Sequence, residues 1–225
     1  MTLDQVEEII ERSINAGLAT LNGKWQPLYI EELIHEARGQ AIIETYNGSR
    51  RLAASKRVSG EWLQDFNLTI TPSQQNPDVD YLIVECPAPV RINSNTDGLV
   101  YVGVRNSAVA FKKATNRQEI AMYIQRGFIK DGKDIVYYYD GDKLYIYGNK
   151  QLKNLAVSGV FQDPTSVTGF DIKNENYPIS RDLIPLMEDY IINRLRVALG
   201  QTPDIISDAS VSNDQARIKA NIAKR

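Results

Sequence analysis

Towards one end of the chain, Leu183, Met187, Tyr190, Ile191, Leu195 and Ala198 recur at three- and four-residue steps. This spacing places them on one side of a 3.6-residue helix and leaves Asp182, Glu188, Asp189, Arg194 and Arg196 for water or a partner. Both helix limits are marked. Ser180 or Asp182 is placed to accept a hydrogen bond from a first-turn amide. Pro185 falls within that turn, where its missing N–H breaks no bond, and Gly200 supplies a left-handed residue past the end, with Pro203 beyond. Burying six or seven such side chains contributes on the order of 10 kcal/mol before conformational entropy is subtracted. That gain requires other apolar faces.

The opposite end of the chain offers them. Thr2 and Gln5 stand at capping-box spacing, and Leu3, Val6, Ile9/Ile10 and Ile14 trace a helical face that weakens at Gly17. After a turn at Asn22-Gly23 and an N-terminal Pro27, Ile30, Leu33/Ile34, Ala37 and Ala41 form a second face. Glu31, Glu32, Glu36 and Arg38 are assigned to its solvent side, and the helix stops at Asn47-Gly48. Three apolar stripes without local partners predict one helical layer built from both ends of the chain.

Between about Trp62 and Phe170 the period changes from 3.6 to 2. Phe66, Leu68 and Ile70 alternate with Asp65, Asn67 and Thr69; Val79 to Val84, Leu99 to Val104, Val109 to Phe111 and Leu155 to Phe161 are further strand candidates. A short helix is expected from Asn116 as cap to Gly127. The clearest hairpin is Ile135 to Tyr139, turn Asp140-Gly141-Asp142-Lys143, return Leu144 to Tyr147, since Asp-Gly supplies the positive φ that the turn needs. The expected fold is α+β. N- and C-terminal helices (residues 1–58 and 178–200) form a bundle around an inserted antiparallel β-domain (59–177), and an extended tail (201–225) ends in the basic residues Arg217, Lys219, Lys224 and Arg225.

Composition narrows the functional classes. With 43% hydrophobic and 24% charged residues the chain is of ordinary globular type, and a net charge of -2 gives no overall attraction to nucleic acid or anionic lipid. A single cysteine, Cys86, precludes an intrachain disulfide and reads as a buried apolar residue. The acidic N-terminus is unlike a secretory signal and no apolar run approaches a membrane span. Folding in a reducing cytoplasm is expected, with later incorporation into a particle left open.

Catalytic chemistry finds little footing. His35, on the edge of an apolar stripe, reads as a structural or surface histidine rather than a general base without a nucleophile. One histidine and one cysteine are too few for a structural zinc, and Asp140-Gly141-Asp142 is explained by the hairpin turn rather than a calcium loop. Phosphate-loop, dinucleotide and nucleophile-elbow motifs are absent. No catalytic residue, metal or cofactor is assigned.

Contacts are the better-founded expectation. Arg50, Arg51, Lys56 and Arg57 crowd the junction between the second helix and the β-region, either as a solvated linker or as a contact for phosphate or an acidic protein face. The hairpin holds five of the twelve tyrosines. Tyr137, Tyr139, Tyr145 and Tyr147 are candidate interface residues or, alternatively, filling for one face of the sheet. Arg194 and Arg196 are the candidates on the C-terminal helix.

The layout of terminal helices around a β-insertion resembles the head-to-tail connectors of short-tailed bacteriophages. So do the segment Tyr177-Pro178-Ile179-Ser180-Arg181-Asp182-Leu183-Ile184-Pro185-Leu186 and the tail Pro203-Asp204-Ile205-Ile206-Ser207-Asp208. The likeness is strongest to the ring proteins of crAss-like phages and weaker to the tail tubular and head-completion adaptors. It implies a virion structural protein without enzymatic activity, assembled in the host cytoplasm as a twelve-fold ring. That ring would join the capsid portal to the next tail ring or tail protein and continue the DNA channel, near genomic DNA but without specific contact and without a membrane. Residues 203–225 would be the docking arm, and the cluster at 50–57 would face either DNA or the portal. The competing expectation is a tail or fibre-attachment β-module that binds a host-surface or virion ligand through the tyrosine hairpin; a wall hydrolase would need a pair of carboxylates that the sequence does not offer.

Overall fold

The computed structural model describes residues 1–17, 27–49, 58–70, 81–93, 96–129 and 134–198. The fold is α+β, with helices at both ends and strands in the middle. Helices α1 (Leu3–Gly17) and α2 (Pro27–Ser49) precede the strands, α3 (Arg117–Gln125) lies among them, and α4 (Ile184–Ala198) follows.

The terminal helices pack as the periodicity predicts. α4 lies against both α2 and α1. Val6, Ile10, Ile34, Ile42, Met187, Ile191 and Leu195 are all fully buried in one cluster. Pro185 sits in the first turn of α4, and a 3-10 turn at Arg181–Leu183 leads into it. At the start of α1 the Thr2 amide donates to Gln5 Oε1 at 3.1 Å, the return half of the capping box. Two details differ. Ala198 is exposed, because α4 outruns the surface it packs on. Ser180 makes no capping bond, because its hydroxyl is used elsewhere.

The strands form two main sheets. β1 (Gln64–Thr69), β9 (Asn154–Gly159) and β5 (Leu99–Val104) make an antiparallel three-stranded sheet with β9 central. β2 (Tyr81–Glu85), β8 (Lys143–Tyr147), β7 (Val136–Asp140) and β6 (Lys112–Lys113) form the second, in that order. A hairpin of β3 (Arg91–Asn93) and β4 (Thr96–Asp97) lies beside α2. Alternation sends Phe66, Val102, Leu155 and Val157 from the first sheet and Leu82, Val84, Tyr137, Leu144 and Ile146 from the second into one shared core. Cys86 is buried in it as a small apolar side chain.

The insertion is not antiparallel throughout. β6 pairs parallel with β7, and α3 supplies the crossover that parallel neighbours require. Asn116 Oδ1 accepts from the Glu119 amide at 2.9 Å, which caps α3, and Gly127 takes φ +65° beyond its end. Val109 to Phe111 does not form a strand. One bridge pairs Ala110 with Gly103, and Val109 remains 74% exposed, because the chain turns at Asn106 with φ 64° and crosses the β5 edge only briefly. The hairpin forms at the predicted residues, with Gly141 at φ +55° and Asp142 at φ 61°.

Candidate functional site

The helical core does not end at the helices. Trp62, Val90, Ile92, Val160, Tyr177 and Ile179 belong to the same buried cluster, so the β-region is seated on the helices through apolar contact. At the centre of that seat is Arg38. The helical wheel assigns it to the solvent side of α2, and the structure overturns this: Arg38 is 0% exposed. The reason is that α2 is covered on two sides, by α4 and by the strand region.

Arg38 satisfies its donors on main-chain carbonyls. Nε donates to Pro178 O at 2.8 Å, Nη1 to Phe161 O at 2.6 Å and Nη2 to Trp62 O at 3.3 Å. Its guanidinium carbon lies 5.7 Å from the Tyr177 ring centroid. Trp62 leads into β1, Phe161 follows β9 and Pro178 leads to α4, so one side chain ties three stretches that run between helices and sheets. Burial lowers its pKa to about 10, which still leaves it charged near neutrality.

His35, one helical turn away, completes the seat. The Tyr177 hydroxyl lies 2.8 Å from its Nδ1, and Nε2 lies 3.5 Å from Asp163 Oδ1 and 3.8 Å from Glu31 Oε1. Burial lowers the His35 pKa, against the pull of Asp163 and Glu31, and burial raises that of Tyr177. A neutral imidazole that accepts from the Tyr177 O–H and turns Nε2–H to the carboxylates satisfies every group. His35 is therefore a structural residue, held between partners.

The hairpin tyrosines separate by strand face. Tyr137 is buried between the sheets, and Tyr139 donates its hydroxyl to Asp142 Oδ1 at 2.8 Å near the tip. Tyr138 and Tyr147 are buried on the opposite face beneath α3, where Ile120 and Tyr123 pack. Tyr138 and Tyr145 stack with centroids 4.6 Å apart, and Tyr81 and Tyr147 lie 5.0 Å apart. This crowding and burial push the Tyr147 pKa up to about 12. Tyr139 and Tyr145 keep partial exposure.

On the outer side of the helices, Glu36 accepts from Tyr190 at 2.7 Å and from Arg194 at 3.3 Å, which places Arg194 at the α2–α4 seam. Arg196, two residues on, is half-buried, and Leu186 and Val197 project apolar surface outward. Arg50, Arg51, Lys56, Arg57 and residues 201–225 lie outside the described residues.

Among the concavities on the described surface, two lie beside the first sheet. The larger, about 970 Å³, runs between α1 and the start of β1, over Ile9, Leu63 and Phe170, and is rimmed by Glu8, Glu61, Asp65 and Glu175 with Arg181 opposite. The smaller, about 450 Å³, lies between the end of β5 and α3, over Val104, Val109, Phe111 and Phe128, with Lys112 and Asp134 on its rim. Among the described residues no group of three or more His, Cys, Asp or Glu could hold a metal ion, and no helix is long and apolar enough to cross a membrane.

The model of the family described as phage tail ring protein 2, of crAss-like phages, matches residues 22–215. The chain belongs to this family. The match runs from before α2 to beyond α4 and takes in Arg38, His35, both sheets and both grooves' strand walls, while α1 precedes it. A search of curated proteins gives no match. Membership makes this tail ring protein a virion component and a structural protein of the phage tail.

Proposed function

We propose that this tail ring protein is the repeating subunit of a twelve-fold ring that connects the capsid portal to the tail and continues the DNA channel, without catalysing a reaction. The observation that carries this reading is the family match over residues 22–215. The geometry supports it. The helices share one apolar cluster with Trp62, Val90, Ile92 and Val160 of the strand region, fastened at Arg38, and the outer faces still hold apolar surface at Leu186, Val197, Val109 and Phe128. A subunit with unlike faces can repeat head to tail, and such a contact makes a ring where its rotation closes. A net charge of -2 suits a lumen that DNA must traverse without being gripped.

In this reading residues 1–58 and 178–200 are the ring-building helical block, 59–177 the β-domain offered to the next tail component, and 201–225 the arm that docks on the portal. The ring is assembled in the host cytoplasm. The competing reading, a β-module that captures a host-surface ligand through the tyrosine hairpin, is less well supported, because Tyr137 and Tyr147 are occupied in packing. Native mass spectrometry of the purified protein tests the proposal: a closed species of twelve copies is expected, and a chain that remains monomeric or trimeric at every concentration overturns it.

A further inference from the structure

The two grooves stand at opposite corners of one sheet. In the β1–β9–β5 register Gln64 pairs with Gly159, which pairs with Leu99, whereas Leu68 pairs with Leu155, which pairs with Val104. The larger groove takes in Gln64 and Asp65, at the start of edge strand β1. The smaller takes in Val104, at the far end of the other edge strand, β5. The sheet therefore separates them along the strands as well as across them.

Their chemistry is complementary. The larger has a half-buried apolar floor and four carboxylates against one guanidinium and the Met1 ammonium, which donates to Asn176. The smaller exposes an apolar cluster, with Val109 at 74% and Phe128 at 55%, beside Val104. Lys112 and Asp134 line it, and among the described residues the exposed Arg105, directly after Val104, and Arg126, at the end of α3, flank it in sequence, with Glu119 bonded to the lining Tyr123. An apolar centre with an oppositely charged rim is the pattern of a specific protein interface. Neither surface has a self-complementary form, since acidic would meet acidic or basic meet basic in a two-fold pairing.

We infer that these two surfaces are the lateral contact of the ring, with the exposed apolar surface of Val104, Val109 and Phe128 on one copy packed against the acidic surface between α1 and β1 of the next. The inference rests on the ring reading above, and it places the closing contact on the β-domain and its junction with α1, in addition to the helical block. Each subunit uses one surface forwards and the other backwards, as a heterologous contact requires. Val109, the most exposed of the three, supplies apolar contact, and Arg105 and Arg126 meet Glu61 and Asp65.

Charge reversal tests it with the full-length chain. One variant carries Arg105→Glu with Arg126→Glu, and the other carries Glu61→Lys with Asp65→Lys. All four residues are exposed, so circular dichroism should show each variant folded as wild type. In sedimentation velocity each variant alone should lose assembly by about tenfold or more in apparent dissociation constant, because like charges then face each other. A one-to-one mixture should regain it, since every contact in an alternating ring is again between opposite charges, and twelve is an even number. Wild-type rings that form while both variants also assemble normally, or while the mixture fails to recover, overturn this pairing and leave the ring reading intact. A wild-type chain that never assembles overturns both.

Discussion

The indole N–H of Trp62 donates to the hydroxyl of Ser180 at 2.8 Å, a buried bond between residues 118 apart in the chain. It joins the turn that opens the strand region to the turn that opens α4. Ser180 is thus used to fasten the two ends of the insertion rather than to cap a helix. Ser180→Ala leaves a buried donor unpaired and should cost about 1–3 kcal/mol. Urea unfolding followed by tryptophan fluorescence should show a lower midpoint with an unchanged slope. With Trp62→Phe already in place, the same serine change should cost clearly less, because the orphaned donor is gone.

Arg38 carries the larger share of that fastening. Arg38→Lys keeps the charge but replaces a planar fork by a single ammonium, which cannot reach Trp62 O, Phe161 O and Pro178 O together. It should destabilise by about 2–4 kcal/mol and Arg38→Met by a similar amount, since the methionine leaves the carbonyls unpaired but removes the burial of a charge. Thermal melting compares them. A lysine variant that melts with wild type would show that the three carbonyls do not depend on the fork.

The pH dependence of folding should carry the mark of His35. Burial holds its folded pKa below the ordinary value of about 6.5, even with Asp163 and Glu31 pulling upward, and Arg38 reinforces the lowering. The folded chain therefore binds this proton less readily than the unfolded chain. The stability tied to neutral His35 is complete above about pH 6.5 and is lost as the pH falls below it. His35→Gln, which cannot titrate, should flatten the melting temperature profile between about pH 6.5 and 5 relative to wild type. Parallel profiles would contradict the buried neutral imidazole.

Ile191 and Leu195 are each fully buried where α4 meets α1 and α2. An aspartate at either position places an unpaired charge in that core, a loss that exceeds the usual net stability of a domain when added to the lost apolar burial. Ile191→Asp and Leu195→Asp should abolish soluble expression. A soluble variant with an unchanged melting temperature would refute the central place of α4.

These residues also mark how far the sequence can be read. The stripe of α4 was legible because Met187, Ile191 and Leu195 obey one local period, and the Asp140-Gly141 hairpin because its turn chemistry is local too. Cap Asn116 and the alternation of β1 are of the same kind. Arg38 was not legible. A charged residue on an amphipathic helix belongs to water by default, and the carbonyls that hold it come from positions 62, 161 and 178, which no local pattern links. Ser180, one of two candidate caps, is drawn away for the same reason, a distant indole outcompeting a nearby amide. Val109 to Phe111 looked like a strand because its composition is apolar. The structure instead leaves Val109 outside, and that exposure gives the segment its place in the lateral contact inferred above.

Electron cryomicroscopy of the phage particle tests the ring assignment most directly. The expected result is a closed twelve-fold layer of this chain between portal and tail, with α1, α2 and α4 in the ring body and the axial channel open for DNA. Density for the chain at the tail periphery, as separate copies or within a fibre, would contradict it.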